Sequence, residues 1–243
     1  MPVKKSAAND LLTRFFGNSA KGLSIKNSLI TGYAKLGTGS VAVIGTANGT
    51  FIDNAAALRL AELVIDCVEN HPKMPIVMFV DSAGQEPNRT CEMLGLASYF
   101  GHLLSCLQLA RQNGHKLITI ATGKAIGGAF ICYGMLGDRI DALSSASVGL
   151  MPIEAMSAVT KIPVETLTKL SKTMPSLEFG AEPFALLGGV KEVWGQNDDY
   201  SARLVEAIAS SSSEDNRALL GKERGGRKMA LDVQERILAE SAK

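Results

Sequence analysis

Up to about residue 150, two hydrophobic patterns alternate along the chain. Continuous apolar runs that end in polar residues, as in MPIVMFVDS (74–82) and KLITIAT (116–122), are typical of strands buried on both faces of a parallel sheet. Apolar residues at helical spacing follow a capping residue at Asp53 or Asn54, and they recur over residues 90–112. The alternation predicts an α/β core of right-handed βαβ units.

Shorter patterns complete the predicted core. A β-rich segment bounded by glycines covers residues 28–49, and a buried helix is predicted from Ala129 to Leu136. Short strands are expected over 138–143 and 146–151. Strand and helix are therefore expected to alternate from residue 40 to about residue 150, which forms the α/β core.

The two ends of the chain have a different character. Residues 6–16 predict a short amphipathic helix within an N-terminal segment, residues 1–27, that we expect to be peripheral. Residues 152–243 are mainly helical in pattern, and residues 214–240 form a charged helical tail. Since no internal repeat or low-complexity linker interrupts the sequence, we expect one domain over residues 1–243.

Composition narrows the classes of partner. Among 243 residues, 25 Lys and Arg face 24 Asp and Glu, and 5% are aromatic, which argues against nucleic acid or an anionic membrane as a partner. No apolar run is long enough to span a bilayer. No CxxC pair or metal-ligand spacing occurs, which favours free thiols in the reducing cytoplasm and predicts no metal site. The cysteines are Cys67, Cys91, Cys106 and Cys132.

The glycines of TIATGKAIGGAF (119–130) lie between two apolar segments and allow several kinds of site. A Walker phosphate loop is disfavoured because Ala125 stands where that motif needs a hydroxyl, and the glycine spacing does not fit a dinucleotide-binding loop. Residues 125–130 offer no Ser or Cys for a nucleophile elbow. Two interpretations remain open: a turn that packs a helix close to the sheet, or a turn whose free helix N–H groups bind an oxyanion.

A similar junction precedes this one. VDSAGQEPNR (80–89) follows the first buried strand and leads into the next predicted helix. Because the carboxyl ends of neighbouring parallel strands meet at one edge of a sheet, where ligands usually bind, we expect the two turns to lie side by side. Gln85, Glu86 and Glu92 are the nearest polar candidates, either for the substrate or as caps at the start of the helix.

At these residues the sequence resembles the carboxyltransferase branch of the crotonase superfamily. VDSAGQEPNRTCEMLG and GHLLSCLQLARQNGHKLITIATGKAIGGAF are similar to the second half of biotin-dependent acyl-CoA carboxyltransferases, in which the second turn reads Gly-Gly-Ala-Tyr and holds an oxyanion. MPIEAMSAVTK, GAEPFALLGGVKEVW and GKERGGRKMA extend the similarity, from about residue 30 onward, to the gamma subunits of malonate decarboxylase. The resemblance implies a crotonase-like ββα superhelix with a helical C-terminal region.

The resemblance also implies where the site lies. By position, the amides of Gly128 and Ala129 match the oxyanion turn, and Gly127 shapes it. The first turn is expected to bind the substrate, and its residues are Ser82, Ala83, Gly84, Gln85 and Glu86. Residues 82–88 stand where the biotin-dependent relatives have a Pro-Gly-Phe-x-Pro-Gly motif, a departure that favours a biotin-independent enzyme.

The function implied by the resemblance is a decarboxylation shared with a beta subunit of related fold. Malonyl carried as a thioester on an acyl carrier protein would give acetyl thioester and carbon dioxide within a hetero-oligomer. No cofactor is expected to bind this chain directly, since a phosphopantetheine-type group on the carrier holds the thioester. Two alternatives stay open: the carboxyltransferase subunit of a biotin-dependent malonate decarboxylase or acyl-CoA carboxylase, and a non-catalytic scaffold for the beta subunit.

The stretch KERGGRK (222–228) concentrates positive charge around two glycines. It is either a solvated turn between helices or a contact for an acidic carrier protein or its phosphopantetheine phosphate. The candidate carrier-binding residues are Lys222, Arg224, Arg227 and Lys228.

Overall fold

The computed structural model describes residues 3–241, with side chains from residue 7 onward, so the outermost residues of the predicted N-terminal segment and C-terminal region lie outside the described residues. Nine strands of the described chain form one sheet. They are β1 Leu23–Lys26, β2 Leu29–Leu36, β3 Gly39–Thr46, β4 Thr50–Ile52, β5 Ile76–Gln85, β6 Leu117–Ile126, β7 Arg139–Leu143, β8 Ser147–Gly149 and β9 Glu192–Trp194. The α-helices are α1 Val3–Phe16, α2 Asn54–Asn70, α3 Arg89–Met93, α4 Leu96–Gln112, α5 Gly127–Cys132, α6 Ile153–Thr160, α7 Val164–Ser171, α8 Ala181–Leu186, α9 Tyr200–Ala209, α10 Arg217–Glu223 and α11 Ala230–Ser241.

The sheet has the order β1-β2-β3-β5-β6-β7-β9. β1, β2 and β3 are antiparallel neighbours, whereas the pairs that follow from β3 to β9 are parallel. α2 connects the third and fifth strands, α3 and α4 connect β5 to β6, and α5 lies between β6 and β7. The predicted α/β core is therefore confirmed.

β5 and β6 are each ten residues long, and their two halves have different neighbours. Their first halves pair with each other and with β3 and β7, whereas their last residues pair with β4 and β8. The register between the two strands shifts after Val80, and Ser82 then pairs with Ala125. The carboxyl ends of β5 and β6 consequently lie side by side, which brings the two predicted turns to the same edge of the sheet.

The side chains of β5 alternate between two buried layers. Ile76, Met78 and Val80 pack in the layer that contains α2 and α4, and Val77 and Phe79 pack on the opposite face with α1 and α9. All five are fully buried. Burial of each such side chain stabilises the fold by roughly 1.5–3 kcal/mol, so the strand that leads to the first turn is firmly held.

The layer on the α1 face corrects one expectation about the N-terminal segment. Leu12 and Phe15 of α1 are almost completely buried, and the ring of Phe15 lies 6.2 Å from that of Trp194, the only tryptophan of the sequence. Tyr200 of α9 completes this aromatic cluster. The prediction that residues 1–27 are peripheral is therefore wrong for α1, because its apolar face covers one side of the sheet.

Glycines interrupt two predicted helices. The pattern over residues 90–112 is divided into α3 and α4 by Gly95, whose φ is +77°. The charged tail predicted over 214–240 consists of α10 and α11, with Gly225 at φ +76° between them. Left-handed backbone at these glycines ends a helix that hydrophobic spacing alone would continue.

The buried helix predicted from Ala129 to Leu136 is also shorter than expected. α5 begins earlier, at Gly127, and ends at Cys132, and a 3-10 turn, Gly134–Leu136, follows it. The helix that carries the candidate amides is thus only six residues long.

Several C-terminal helices leave their apolar side chains uncovered. α6 and α11 bury none of their side chains, and α7 buries only Leu167. On α6, Val159 is 71% exposed, and on α11 Ile237 is 61% exposed. Large exposed apolar surfaces of this kind mark contacts with other molecules.

Candidate active site

The turn between β6 and α5 depends on two glycines. Gly127 has φ +66°, a conformation that costs a residue with a side chain about 1–2 kcal/mol. At Gly123, a Cβ would lie 2.3 Å from the Asp81 carboxylate, so glycine alone lets Asp81 approach and accept the Lys124 N–H at 2.9 Å. These two glycines support the structural interpretation of the sequence pattern.

The third glycine of the turn contacts the first turn. A Cβ on Gly128 would lie 3.1 Å from the carboxamide oxygen of Gln85, and a Cβ on Gly127 would lie 3.7 Å from the same oxygen. Gln85 itself is exposed. The two turns that were expected to be neighbours therefore meet at Gln85 and Gly128.

The N–H groups at the start of α5 have few internal partners. No side chain caps this helix at Ile126, and the first N–H groups of any helix lack a partner within it. Within residues 3–241, no backbone hydrogen bond of a turn or cap uses the N–H of Gly128 or Ala129. Ala129 is fully buried, main chain included, and Gly128 is half-buried. The N–H groups of Gly128 and Ala129 are therefore candidate donors to an oxygen atom of a ligand.

In the first turn, the buried serine holds the backbone. Ser82 is fully buried, and its hydroxyl accepts the Gly84 N–H at 3.1 Å and lies 3.2 Å from the carbonyl oxygen of the same residue. Gly84 has φ +121°, which a residue with a side chain rarely adopts. Of the predicted substrate-binding residues, Ser82 and Gly84 thus shape the turn, whereas Gln85 faces the second turn.

The remaining predicted residues of the first turn lie to its side. Ala83 and Glu86 are half-buried, and the Glu86 N–H donates to the carbonyl of Ile52 at 2.9 Å. Glu86 borders a cleft of about 430 Å³ between the β1–β2 hairpin and α2. The start of α3 is capped by Asn88, whose carboxamide oxygen accepts the Cys91 N–H at 2.9 Å.

Buried hydroxyl groups connect the end of α5 to the sheet. The Tyr133 hydroxyl lies 3.0 Å from the Thr46 hydroxyl and donates to the carbonyl of Phe79 at 3.3 Å. The Asp81 N–H donates to the Thr46 hydroxyl at 3.0 Å. Burial raises the pKa of Tyr133, so its hydroxyl remains protonated at neutral pH. This network joins α5 to β3 and to β5, the strand that leads into the first turn.

Sequence reasoning did not single out Thr46, Asp81 or Tyr133. Two signals were available: Asp81 is a charged residue at the end of a buried apolar run, and Tyr133 is a phenol within an apolar helix. A buried tyrosine hydroxyl requires a hydrogen-bond partner, so Tyr133 predicts a polar group in the adjacent core. The identity of that partner depends on tertiary structure.

The basic stretch of residues 222–228 divides between the fold and the surface. Arg224 donates three hydrogen bonds to carbonyl oxygens between α8 and β9, at 2.8, 2.8 and 2.9 Å. These oxygens belong to Ala185, Val190 and Lys191. Lys222 forms an ion pair with Asp232 at 2.5 Å. Arg224 is therefore part of the fold, contrary to its predicted role in carrier binding, because its guanidinium holds the α8–β9 connection.

The other two basic residues of this stretch, Arg227 and Lys228, are exposed. Arg227 borders a cleft of about 630 Å³, a volume typical of small-molecule sites. Its apolar walls include Ile131 of α5, Leu150 just after β8 and Phe184 of α8. Leu150 connects the cleft to the glycine turn, since its carbonyl lies 3.8 Å from the Cβ position of Gly127.

Two other features, a metal-binding cluster and a membrane-spanning helix, are not formed by the residues that the structure describes. Within residues 3–241, no group of three or more His, Cys, Asp or Glu side chains could hold a metal ion. No helix in this part of the chain has the length and apolar character needed to cross a bilayer. The cysteines are free, as predicted, and burial raises the pKa of Cys67 to about 11, which keeps it a thiol.

Comparison with known sequences assigns most of the chain to one family. The family model of the malonate decarboxylase gamma subunit matches residues 47–241. A malonyl-S-ACP:biotin-protein carboxyltransferase of Malonomonas rubra is 35% identical over 169 residues, or 64% of this chain. The match spans 58% of the length of that relative.

Comparison with solved structures identifies the fold. A chain of a Pseudomonas malonate decarboxylase hetero-tetramer, in complex with coenzyme A, is similar with a TM-score of 0.78 at 21% identity, covering 97% of this chain and 98% of that one. A chain of transcarboxylase 12S, with methylmalonyl-coenzyme A and methylmalonic acid bound, has a TM-score of 0.69 at 20% identity, covering 86% and 42%. The predicted crotonase-like fold is thereby confirmed.

Proposed function

Since the chain belongs to the malonate decarboxylase gamma subunit family, we propose that it acts with a beta subunit of related fold to decarboxylate malonyl-S-acyl carrier protein. The products are acetyl-S-acyl carrier protein and carbon dioxide. The observation that carries the proposal is the meeting of two βα turns, where Gln85 lies against Gly128 at the start of α5. The four free cysteines agree with the reducing cytoplasm as its compartment.

The reaction requires stabilisation of one oxygen atom. As the bond between the α-carbon and the carboxylate breaks, its electron pair moves into the thioester and places negative charge on the thioester oxygen. The N–H groups of Gly128 and Ala129 are proposed to donate to this oxygen, and each such donor contributes roughly 3 kcal/mol in the transition state. A proton from the solvent then adds to the α-carbon of the enolate and gives the acetyl group.

The side chains of the two turns suit this chemistry because they are almost all uncharged. Residues 126–131 are apolar, and the first turn has Glu86 as its one ionisable side chain over residues 82–86. A cation placed at the departing carboxylate would stabilise the ground state more than the transition state, and so would slow the loss of carbon dioxide. The carboxamide of Gln85 is instead proposed to orient the malonyl group through a neutral hydrogen bond.

The exposed apolar residues of the C-terminal helices support the proposal that a partner subunit binds there. α6 buries no side chain and α7 buries one, although both carry large apolar residues. The residues that form this surface are Leu150, Met151, Val159, Ile162 and Val164. Covering it in a complex would remove apolar area from water, at roughly 25 cal/mol per Å². We name it the α6–α7 surface and assign it to the beta subunit.

The cleft beside α5 supports binding of the carrier's thioester arm. Its apolar walls suit an alkyl amide chain, and Arg227 at its border suits the phosphate of a phosphopantetheine-type group. Of the predicted carrier-binding residues, Arg227 and Lys228 are kept in this proposal. The carrier protein itself holds the prosthetic group.

Reconstitution with the beta subunit tests the proposal. The gamma and beta subunits are co-purified and supplied with malonyl-S-acyl carrier protein, and release of carbon dioxide is measured with and without a biotinylated protein and with avidin. The proposal expects activity without biotinylated protein and no effect of avidin. A folded, assembled complex that releases no carbon dioxide under either condition would refute it.

A second function is favoured by the Malonomonas rubra relative, which is named for carboxyl transfer from malonyl-S-ACP to a biotin protein. This function would transfer the carboxyl group instead of releasing it. It predicts that acetyl-S-acyl carrier protein forms only with biotinylated protein, without an equal release of carbon dioxide, and that avidin blocks its formation. The sequence of residues 82–88 favours the biotin-independent reaction, because it lacks the motif of the biotin-dependent enzymes.

A further inference from the structure

We propose that Tyr133 and Thr46 are positioning residues, a buried hydroxyl pair that fixes the direction of the Gly128 and Ala129 amides by anchoring the opposite end of α5. This inference rests on the proposed function, since it concerns the aim of the same two amides. Both residues are fully buried, and they are assigned no contact with the acyl group.

The start of α5 has no anchor of its own. The helix is six residues long, its N-cap residue Ile126 gives no side-chain hydrogen bond, and Gly127 and Gly128 follow. A side-chain cap would hold these amides but would also occupy them. The direction of the free N–H groups must therefore be fixed from elsewhere.

The end of α5 has two anchors. The Tyr133 N–H donates to the carbonyl of Ala129 at 3.1 Å. Tyr133 is therefore bound to one of the two residues that carry the candidate amides. Its fully buried hydroxyl reaches Thr46 at 3.0 Å and Phe79 at 3.3 Å. The segment that follows is held by the Thr119 hydroxyl, which donates to the Gly134 carbonyl at 2.6 Å.

The protons of the network allow one consistent arrangement. The Asp81 N–H donates to the Thr46 hydroxyl, and the Tyr133 hydroxyl donates to the Phe79 carbonyl. Each hydroxyl carries a single proton, so the Thr46 hydroxyl donates to the Tyr133 oxygen. Every donor is then used, and loss of either hydroxyl leaves a buried polar atom without its partner.

The network links the two turns as well as holding one helix. Thr46 ends β3, and Asp81 immediately precedes the first turn on β5. Because Thr46 binds both the Asp81 N–H and the Tyr133 hydroxyl, the distance between the first turn and α5 depends on it. A displacement of about 1 Å in a catalytic donor can lower a rate by roughly 100-fold.

The test uses five variants of the full chain in complex with the beta subunit, one of them the double variant Tyr133→Phe/Thr46→Val. Tyr133→Phe and Thr46→Val remove the hydroxyls, and Thr46→Ser keeps one. Thr122→Val is the matched control: its hydroxyl lies at the same edge of the sheet and donates to the Val80 carbonyl at 3.4 Å without reaching α5. The kcat and KM for malonyl-S-acyl carrier protein are measured, together with amide hydrogen exchange of residues 127–133.

We expect Tyr133→Phe and Thr46→Val to lower kcat by about 10- to 100-fold with KM changed less than twofold. The double variant should be no slower than the slower single variant, because one broken link already frees the helix. Exchange of residues 127–133 should become faster in the same variants. Thr46→Ser and Thr122→Val should match the wild-type protein in all three measurements.

Each contrary result has a distinct meaning. A kcat within twofold of wild type in Tyr133→Phe overturns the inference, whether or not exchange becomes faster, and so does an equal loss in Thr46→Ser and Thr46→Val. An inactive wild-type complex refutes the proposed function instead. In that case amide hydrogen exchange of residues 127–133 is the test of the anchoring. Exchange in Tyr133→Phe that is unchanged from the wild-type protein overturns the inference.

Discussion

At the scale of single residues, Gly128 permits a test that separates its N–H group from its lack of a side chain. Gly128→Pro removes the N–H, and it should abolish decarboxylation in a complex that still assembles, because an oxyanion donor is lost. Gly128→Ala keeps the N–H and places a Cβ 3.1 Å from the flexible end of Gln85, which can move aside. We therefore expect Gly128→Ala to retain activity within about tenfold of wild type.

The measurement is kcat for malonyl-S-acyl carrier protein in assembled complexes of both variants. Circular dichroism and gel filtration establish that each variant is folded and assembled. If Gly128→Pro turns over as fast as an active Gly128→Ala variant, the Gly128 amide does not act in the reaction.

The residue scale also shows what sequence alone can establish about the site. The proximity of the two turns, with Gln85 against Gly128, followed from the order of strands and turns along the sequence, whereas the role of the Gly128 and Ala129 amides stays a prediction. The role of Ser82 did not follow from the sequence, because a serine that binds substrate and one that closes a turn look alike in sequence. Arg224 was misassigned for a similar reason: its three carbonyl acceptors are 33 to 39 residues away along the chain.

At the scale of secondary-structure elements, Arg224 and Arg227 belong to one turn and have opposite expected effects. Arg224→Ala should lower the free energy of unfolding by roughly 2–4 kcal/mol, because three carbonyls between α8 and β9 lose a charged donor. Arg227→Glu should change stability by less than about 0.5 kcal/mol, since the residue is exposed. Chemical denaturation followed by circular dichroism measures both values.

Carrier affinity should follow the reverse order. Arg227→Glu should weaken binding of the carrier protein by about tenfold at low salt, with a smaller effect at high salt, as expected for an exposed charge. Arg227→Gln serves as the neutral control and should have an intermediate effect. Carrier affinity that is unchanged in Arg227→Glu would remove this residue from the proposed site.

A second prediction at this scale concerns a cluster of charged side chains on β7 and β9. Arg139 contacts Asp141 at 2.7 Å and Glu192 at 3.0 Å. Burial raises the pKa of Asp141 from 3.8 to about 6, although the neighbouring guanidinium acts to lower it. The native protein therefore holds this proton between pH 4 and pH 6, where the unfolded chain has lost it. Stability from this group is present below pH 4 and is lost as the pH rises to about 6.

Asp141→Asn removes this titration. The difference in unfolding free energy between the wild-type protein and the variant should fall by roughly 2 kcal/mol from pH 4 to pH 6.5. Urea titrations of both proteins at intervals of half a pH unit measure it, and any constant effect of the substitution cancels. Parallel curves over this range would contradict the raised pKa.

The elements themselves were largely predictable from hydrophobic periodicity. The long apolar runs predicted β5 and β6, and helical spacing after Asp53 predicted α2, whose N-cap accepts the Ala56 N–H as expected. The limits of α5 were not predictable, because Tyr133 is placed by contacts with Thr46 and Phe79 and not by local preference. The divisions at Gly95 and Gly225 depend on φ values that a glycine permits but does not require.

At the scale of the whole molecule, the α6–α7 surface predicts how the subunit associates. Val159→Lys places a charge on the most exposed apolar residue of α6 and should weaken binding of the beta subunit at least tenfold, about 1.4 kcal/mol. Leu109→Lys is the matched control. Leu109 is also exposed, but it belongs to α4 and is not part of the α6–α7 surface. Co-purification and analytical ultracentrifugation measure association.

The stability of the isolated subunit should be nearly unchanged in both variants, because neither side chain is buried. A beta subunit that binds the Val159→Lys variant as tightly as wild type would show that it covers a different surface. Sequence could predict a partner through the resemblance, but the location of its contact depends on which helices remain uncovered after folding.

The position of Trp194 has a practical consequence for following this protein in solution. Its indole is enclosed with Phe15 and Tyr200 on the α1 face, whereas Ala129 and Phe130 of α5 pack in the layer on the opposite face of the sheet. Tryptophan fluorescence will thus report the docking of the amino-terminal helix, and we expect it not to change when the acyl group binds. Emission spectra recorded during ligand titrations provide an internal reference, and a reporter of the reaction must be introduced on the other side.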